Sequence, residues 1–408
     1  FLLRLDDTDK ERSSEAFADA IRADLDWLGL TPDAEYRQSE RFDSYEAALA
    51  TLRAAGRAYP AFETAQELDL KRKVQLSRGR PPVYDRAALG LSDTEIAARE
   101  AEGQRPHWRF KLDHDAAIHW YDGIRGDQNI DPHLLSDPVI RRADGSWLYM
   151  LPSAVDDIDM AVTHVVRGED HVTNTGLQLQ MFDALGAKPP AFAHAALLIG
   201  SEGKLSKRLG SLGVEAMVAE GIEPIAMLAK LARIGTSQPV EAVIDASPLI
   251  GGFHFECFGR APARFDMEEL KALNARILHQ LGHAAVADRL PEGMGPEAWE
   301  AIRPNLSRVD EAAEWWAIVT GPVTAGAASE DKAFLGSAVA SAETIDWSAS
   351  PWAALTAALK ASSGRSGKAL FLPLRRALTG RDSGPEMAAL LPLIGRDQAI
   401  ARLRAAAL

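Results

Sequence analysis

The stretch from residue 162 to residue 208 constrains the fold more than any other. Val162-Thr-His-Val-Val-Arg167 reads as a strand, and Gly168-Glu169-Asp170-His171 as a turn at its carboxyl end. A helix over about residues 173–185 follows, closed by Gly186, and residues 192–199 supply the next strand. Strand, helix and strand in that order make a right-handed crossover between parallel strands. The second strand leads into Gly203-Lys204-Leu205-Ser206-Lys207-Arg208, three cations within five positions of a chain whose formal net charge is −13. Open α/β sheets bind ligands beyond the carboxyl ends of their strands. Cations held there suit a polyphosphate, because they neutralise charge that builds as a phosphorus bond breaks. Taken alone, such a run is also what a solvated basic turn looks like.

The rest of the chain supplies the context. Phe1 to Leu5 reads as a strand running into Arg4-Leu-Asp6-Asp7-Thr8-Asp9. Ser13 and Ser14 offer a helix N-cap, and Phe17, Ile21, Leu25 and Leu28 recur at helical spacing up to Gly29. Asp6, Asp7 and Asp9 suit cap and turn chemistry; they lack the central glycine and closing glutamate of a calcium loop. A second helix is expected over residues 42–55. Residues 60–150 read as an α+β insertion. It holds a basic helix (Lys71, Arg72, Lys73, Arg78, Arg80) and short strands at Trp108-Arg-Phe-Lys-Leu and Ile118-His-Trp-Tyr-Asp. Residues 1–58 and 147–212 are then expected to form one sheet, interrupted by the insertion over residues 59–146. Beyond Gly213 the pattern is mostly helical, with an amphipathic helix over residues 266–281 and tryptophans 315, 316, 347 and 352 expected in the core.

Composition removes several function classes. No run of about 20 apolar residues occurs, so no membrane span is expected. The single Cys257 excludes an intrachain disulfide and a cysteine-based zinc site, which fits a reducing, cytoplasmic compartment. The first residues lack the basic start and cleavage site of a secretory leader. They look like the middle of a strand, so a further N-terminal piece is expected upstream.

With these segments assembled, the chain resembles the class I glutamyl-tRNA synthetases. Lys204-Leu-Ser-Lys-Arg208 resembles the second signature loop of class I synthetases in its glutamyl form. Arg4-Leu-Asp-Asp-Thr-Asp9 with Arg12-Ser13 is similar to the family's Arg-Ile-Glu-Asp-Thr-Asp segment. Val155-Asp156-Asp157-Ile-Asp-Met160 with Thr163-His-Val-Val-Arg167-Gly-Glu-Asp170-His171 resembles its central block. Phe258-Gly-Arg-Ala-Pro-Ala-Arg-Phe265 with Leu273-Asn-Ala resembles its stem-contact region, and Gly367-Lys-Ala-Leu-Phe-Leu-Pro-Leu-Arg375 to Gly380 its anticodon-binding part. The resemblance implies an α/β Rossmann-type catalytic domain (1–58 and 147–212) with an α+β acceptor-binding insertion (59–146). A stem-contact region (213–284) and an α-helical C-terminal anticodon-binding domain (285–408) follow.

The same resemblance implies ATP-dependent activation of L-glutamate and its transfer to tRNA, with Mg²⁺ held largely by the phosphates of ATP and by water. It implies that Lys207, helped by Lys204, stabilises the developing charge, and that Arg208 supports the loop or contacts phosphate. Backbone groups near Leu197 and Leu198 would face the adenine, and Asp170 the ribose. Arg167 would hold a substrate carboxylate, as an arginine fork suits one. Asp6 would meet the α-ammonium, with Tyr149 and Ser153 lining the pocket. The bland alternative for Arg167 is a salt bridge to Asp156, Asp157 or Asp170.

Three departures qualify the match. The family's His-x-Gly-His segment is not among these residues and is expected upstream of Phe1. Asp6 stands where the family often has glutamate. Some relatives bind zinc through cysteines near a Tyr-Pro-x-Phe segment; Tyr59-Pro-Ala-Phe-Glu-Thr64 has none, so no zinc is expected. An enzyme that transfers glutamate to a modified tRNA base lacks the residues beyond 285. A catalytically inactive paralogue that binds tRNA or regulates would not need the intact 204–208 loop and Arg167. Charging of tRNA(Gln) beside tRNA(Glu) would depend on anticodon contacts, for which Arg375, Arg376 and Arg381 are candidates. A monomer is expected. Its basic residues, including Lys71, Arg72, Lys73 and the 365–381 stretch, are expected on one face for tRNA phosphates.

Overall fold

The computed structural model describes residues 1–9, 13–200, 203–204, 213–324 and 329–408. The chain divides into two compact units: Phe1–Ser206 with Arg233–Pro239 and Gly252–Phe265, and Lys207–Ala232 with Val240–Gly251 and Asp266–Leu408.

In the first unit, β1 (Leu2–Leu5), α1 (Glu15–Trp27) and β2 (Ala34–Arg37) open the chain, and α2 (Phe42–Ala54) and β3 (Ala58–Ala61) follow. Ser14 caps α1, its side chain accepting from the Phe17 amide at 3.4 Å. Next come α3 (Ala65–Ser77), α4 (Asp93–Ala101), β4 (His107–Phe110), β5 (Ile118–Asp122), β6 (Gly126–Ile130) and β7 (Val139–Arg141). Then α5 (Met150–Asp159), β8 (His164–Gly168), α6 (Val172–Ala184), β9 (Ala191–Ala195), β10 (Leu198–Gly200) and β11 (Gly203–Lys204) complete the run, with β12 (Ala263–Arg264) returning later.

The expected crossover is present: β8 and β9 pair in parallel, joined by α6, with Arg167 opposite His194 and Gly168 opposite Ala195. Two expectations change. Residues 1–58 and 147–200 do not share one sheet among the described residues, since β1 and β2 form a separate parallel pair. The larger sheet runs β6-β5-β9-β8, so the Ile118–Asp122 strand assigned to the insertion lies inside it. Its alternation explains this placement: Ile118, Trp120 and Asp122 are buried while His119 and Tyr121 face out. The strand expected over residues 192–199 also breaks at Ala195, because its partner β8 ends at Gly168 and turns away. Leu198 onward instead joins a small sheet, parallel to β12 and antiparallel to β11.

One apolar core joins these layers. It takes Tyr45, Leu49 and Leu52 from α2, Leu151, Ala154 and Val155 from α5, Met181 and Phe182 from α6, and Ile118, Trp120 and Phe192 from the sheet. Gly176 lets α6 settle on the sheet: a Cβ there would meet Ile130 at 3.1 Å and Ile118 at 3.2 Å. That close approach brings Thr175 and Gln178 against β8 and β9.

The second unit is helical: α7 (Val214–Ala219), α8 (Pro224–Arg233), α9 (Ser247–Gly251), α10 (Met267–Leu278), α11 (Pro296–Ile302), α12 (Ala312–Thr320), α13 (Lys332–Thr344), α14 (Pro351–Ser363), α15 (Lys368–Thr379), α16 (Met387–Ile394) and α17 (Arg396–Ala407). Trp299 is fully buried, but the four tryptophans expected in the core are half-buried at its margin. The indoles of Trp316 and Trp347 donate to the Glu292 and Ala342 carbonyls, which keeps one ring edge at the polar boundary. Arg402 of α17 is buried and donates to the carbonyls of Leu378 at 2.6 Å, Ile318 at 2.7 Å, Val319 at 3.1 Å and Gly321 at 2.8 Å. These carbonyls lie at the carboxyl ends of α12 and α15, where intrahelical donors run out and a cation is favoured. Arg402→Met is expected to lower unfolding free energy by about 3 kcal/mol, because it leaves several buried carbonyls unmet. Denaturant titration checks this, and a loss below about 0.5 kcal/mol would remove Arg402 from that role.

Candidate active site

The carboxyl end of β8 carries Arg167 and Gly168, with Asp170 and Leu197 close to that glycine. Arg167 lies on β8 with its guanidinium largely out of water. Its Nε donates to His194 Nε2 at 3.3 Å, and its Nη2 to Thr175 Oγ1 at 2.5 Å and Gln178 Oε1 at 2.8 Å. The guanidinium also lies 5.7 Å from the Phe192 ring centre. All three hydrogen-bond acceptors are neutral, and among the described residues Arg167 forms no salt bridge. Burial pulls its pKa below the usual arginine value, with Tyr149, Asp157 and Asp170 opposing from nearby.

Two of the three carboxylates that might have paired with Arg167, Asp156 and Asp157, are occupied elsewhere. Asp156 is fully buried and accepts from Gln38 at 2.9 Å, Arg41 at 2.7 Å and Tyr45 at 3.0 and 3.1 Å. Asp157 accepts from Arg4 at 2.8 Å, and Asp159 from Arg41 at 2.6 Å. Burial pushes the Asp157 carboxyl above its ordinary range, and Arg4 pulls part of the way back. Arg4 also binds Asp6 at 3.0 Å. Asp6 is half-exposed and lines a cleft with Leu5, Asp7, Phe17, Ile21 and Ser39. Phe17 and Ile21 therefore stand on the cleft wall, exposed, rather than in the core.

Tyr149 and Asp170 lie near Arg167. Tyr149 precedes α5, and its hydroxyl lies 3.4 Å from His171 Nδ1. Burial raises its pKa. Ser153 is buried one turn later, its amide bonded to the Tyr149 carbonyl at 2.9 Å. Asp170 is exposed and sits over Gly168: a Cβ on Gly168 would meet Asp170 Oδ1 at 2.5 Å and Leu197 at 3.2 Å. That glycine thus lets Asp170 and Leu197 approach one another at the strand end. Leu197 and Leu198 are partly exposed, but the Leu197 carbonyl already accepts from the Ala263 amide at 3.2 Å. The backbone of Lys204 lies in β11, while Lys207 and Arg208 lie outside the described residues.

Several residues of this site escaped sequence reasoning: Gln38, Arg41 and Tyr45 around Asp156, and Asp122, Thr175, Gln178 and His194 behind Arg167. The available signal was polarity at inward register positions, a histidine in Phe192-Ala-His-Ala and an aspartate closing the alternating run of β5. The basic residues proposed for tRNA are mostly paired. Lys71 meets Asp85 at 3.0 Å, Lys73 meets Asp69 at 2.7 Å, Arg365 meets Asp331 at 2.6 Å and Arg376 meets Asp382 at 2.6 Å. Arg381 pairs with Glu314. Among the described residues no group of three or more His, Cys, Asp and Glu converges as a metal cage.

His194 is fully buried, and burial holds it below the ordinary imidazole pKa despite Asp122. His107 and His114 are shifted the same way by the same cause. The unfolded chain takes up these protons near pH 6.5 while the folded chain resists them, so stability should fall as pH drops below about 6.5. Thermal unfolding between pH 7.5 and 5 should show this slope, and it should be shallower in His194→Gln. An unchanged slope would contradict a neutral buried His194.

Comparison with known proteins agrees with this geometry. The family model described as "tRNA synthetases class I (E and Q), catalytic domain" matches residues 1–272, and "Anticodon binding domain" matches residues 276–407. The chain is 69% identical over 407 residues to glutamate–tRNA ligase 1 of Rhizorhabdus wittichii, spanning 100% of this chain and 92% of that one. It is 63% identical over 406 residues to glutamate–tRNA ligase 1 of Novosphingobium aromaticivorans, spanning 99% and 92%. A crystal structure of a glutamate tRNA ligase from Elizabethkingia meningosepticum, in complex with its amino acid, superposes with a TM-score of 0.85 at 25% identity, covering 100% of this chain and 92% of that one. The chain belongs to the E and Q group of class I tRNA synthetases, and within it to the glutamate–tRNA ligases.

Proposed function

We propose that this chain ligates L-glutamate to tRNA(Glu) at the expense of ATP, as a cytoplasmic monomer. The glutamate α-carboxylate attacks the α-phosphorus of ATP and pyrophosphate leaves. The tRNA terminal hydroxyl then takes the glutamyl group from the adenylate, releasing AMP. One observation carries this reading: the Arg167 guanidinium, at the end of β8, is satisfied on one edge by neutral acceptors and pairs with no carboxylate among the described residues. Such an arginine is poised for a carboxylate that arrives with the substrate. Because the α-carboxylate must be free to attack, Arg167 takes the side-chain carboxylate. Asp6, held by Arg4, meets the α-ammonium, and Tyr149 and Ser153 line the pocket.

Asp170, exposed over Gly168, takes the ribose, and the backbone near Leu198 faces the adenine. Lys207, with Lys204 and Arg208, neutralises charge on the leaving pyrophosphate. Mg²⁺ arrives with ATP and is held by its phosphates and by water. Residues 59–146, apart from β5 and β6 in the larger sheet, receive the acceptor end of the tRNA, 213–284 its stem and 285–408 its anticodon.

The test is charging of purified tRNA with labelled glutamate by the full-length protein. Arg167→Ala should raise KM for glutamate by about 10- to 100-fold with KM for ATP unchanged, since a charged hydrogen bond is lost. Lys207→Ala should lower kcat by about 100-fold. Binding of tRNA(Glu) and tRNA(Gln) without charging of either would overturn the reading in favour of an inactive binding module.

A further inference from the structure

Behind Arg167 lies a buried chain of polar groups that the reaction as described does not use. Asp122, fully buried at the end of β5, accepts from the amides of Ile124 at 3.0 Å, Arg125 at 2.9 Å and His194 at 3.1 Å. It also accepts from His194 Nδ1 at 2.5 Å. These donors outweigh burial and hold the Asp122 carboxyl below its ordinary range, so it is a carboxylate. A carboxylate only accepts, so Nδ1 of His194 carries the proton and Nε2 keeps its lone pair. Arg167 Nε only donates, so an Nε2 that carried a proton would set N–H against N–H. Thr175 Oγ1 lies 2.9 Å from the same Nε2 and accepts from Arg167 Nη2. Its own proton has two acceptors in reach, Nε2, which it shares with Arg167 Nε, and the His171 carbonyl at 3.4 Å.

We propose that Asp122, His194, Thr175 and Gln178 are positioning residues that fix the plane and rotamer of Arg167 for glutamate, none of them touching the substrate. Three of the five guanidinium protons are committed on one edge, one on Nε and two on Nη2. The two on Nη1 have no partner among the described residues and form the end left for the ligand. Asp157, whose field already reaches Arg167, is the nearby competitor. Without the neutral acceptors, Arg167 would turn toward that carboxylate and leave the substrate site. The charged groups facing His194 are Asp122, Arg125 and Arg167, and burial keeps the imidazole neutral against Asp122.

This inference rests on Arg167 holding glutamate, and the experiment separates the two. Charging kinetics of the full-length protein are measured for wild type, Asp122→Asn, Thr175→Val, Thr175→Ser and Arg167→Ala, with KM for glutamate and for ATP determined separately. Asp122→Asn and Thr175→Val should each raise KM for glutamate about tenfold and leave KM for ATP within twofold. Thr175→Ser should restore the wild-type value, because it keeps the hydroxyl. In the Arg167→Ala background neither substitution should add to the loss, since both act through that side chain. An Arg167→Ala effect on glutamate with no effect of Thr175→Val or Asp122→Asn would overturn the positioning role and leave Arg167 as the ligand. Equal rises in both KM values would overturn it in favour of a general packing role. No effect of Arg167→Ala would overturn the assignment of Arg167 and this inference with it.

Discussion

A guanidinium taken out of water is costly unless its donors are met. The active end of this fold is organised around meeting them at Arg167 with neutral groups. A carboxylate partner would satisfy the arginine better and would also occupy it. His194, Thr175 and Gln178 supply acceptors without charge, so the electrostatic demand of Arg167 stays unmet until an anion arrives. The cost falls on the fold, which must place three polar side chains at inward positions of β9 and α6 and bury Asp122 behind them. Gly176 permits this placement by letting α6 lie close to the sheet.

The neighbouring arginines show the opposite choice. Arg4 and Arg41 are committed to Asp156, Asp157, Asp159 and Asp6. Their pairing ties β1 and the segment before α2 to α5. One acidic run, Asp156-Asp157-Ile-Asp159, thus takes up Arg4 and Arg41, while Arg167 on the next strand is paired with neutral groups. Coulomb attraction in a partly buried site is strong enough that this separation must be built in.

Much of this was legible in the sequence. Apolar runs and glycine stops gave β8, α6 and the start of β9 to within a residue or two, with Arg167 near the end of β8. Periodicity could not show that β5 joins β9, because strand pairing is a tertiary choice and Ile118–Asp122 alternates equally well in either sheet. It also could not place the end of β9, which is set by where β8 turns away. The supporting polar residues were hidden for a related reason. Asp122, His194 and Gln178 look like isolated polar interruptions until register puts them on one face. Lys207 and Arg208, singled out by the charge run and the resemblance together, lie outside the described residues.

The most direct measurement is a crystal structure of the full-length protein with L-glutamate bound. The account predicts the side-chain carboxylate within about 3 Å of Arg167 Nη1, with the bonds from Nε and Nη2 to His194, Thr175 and Gln178 kept. Glutamate bound away from Arg167, or Arg167 turned onto Asp157 in the occupied site, would contradict it.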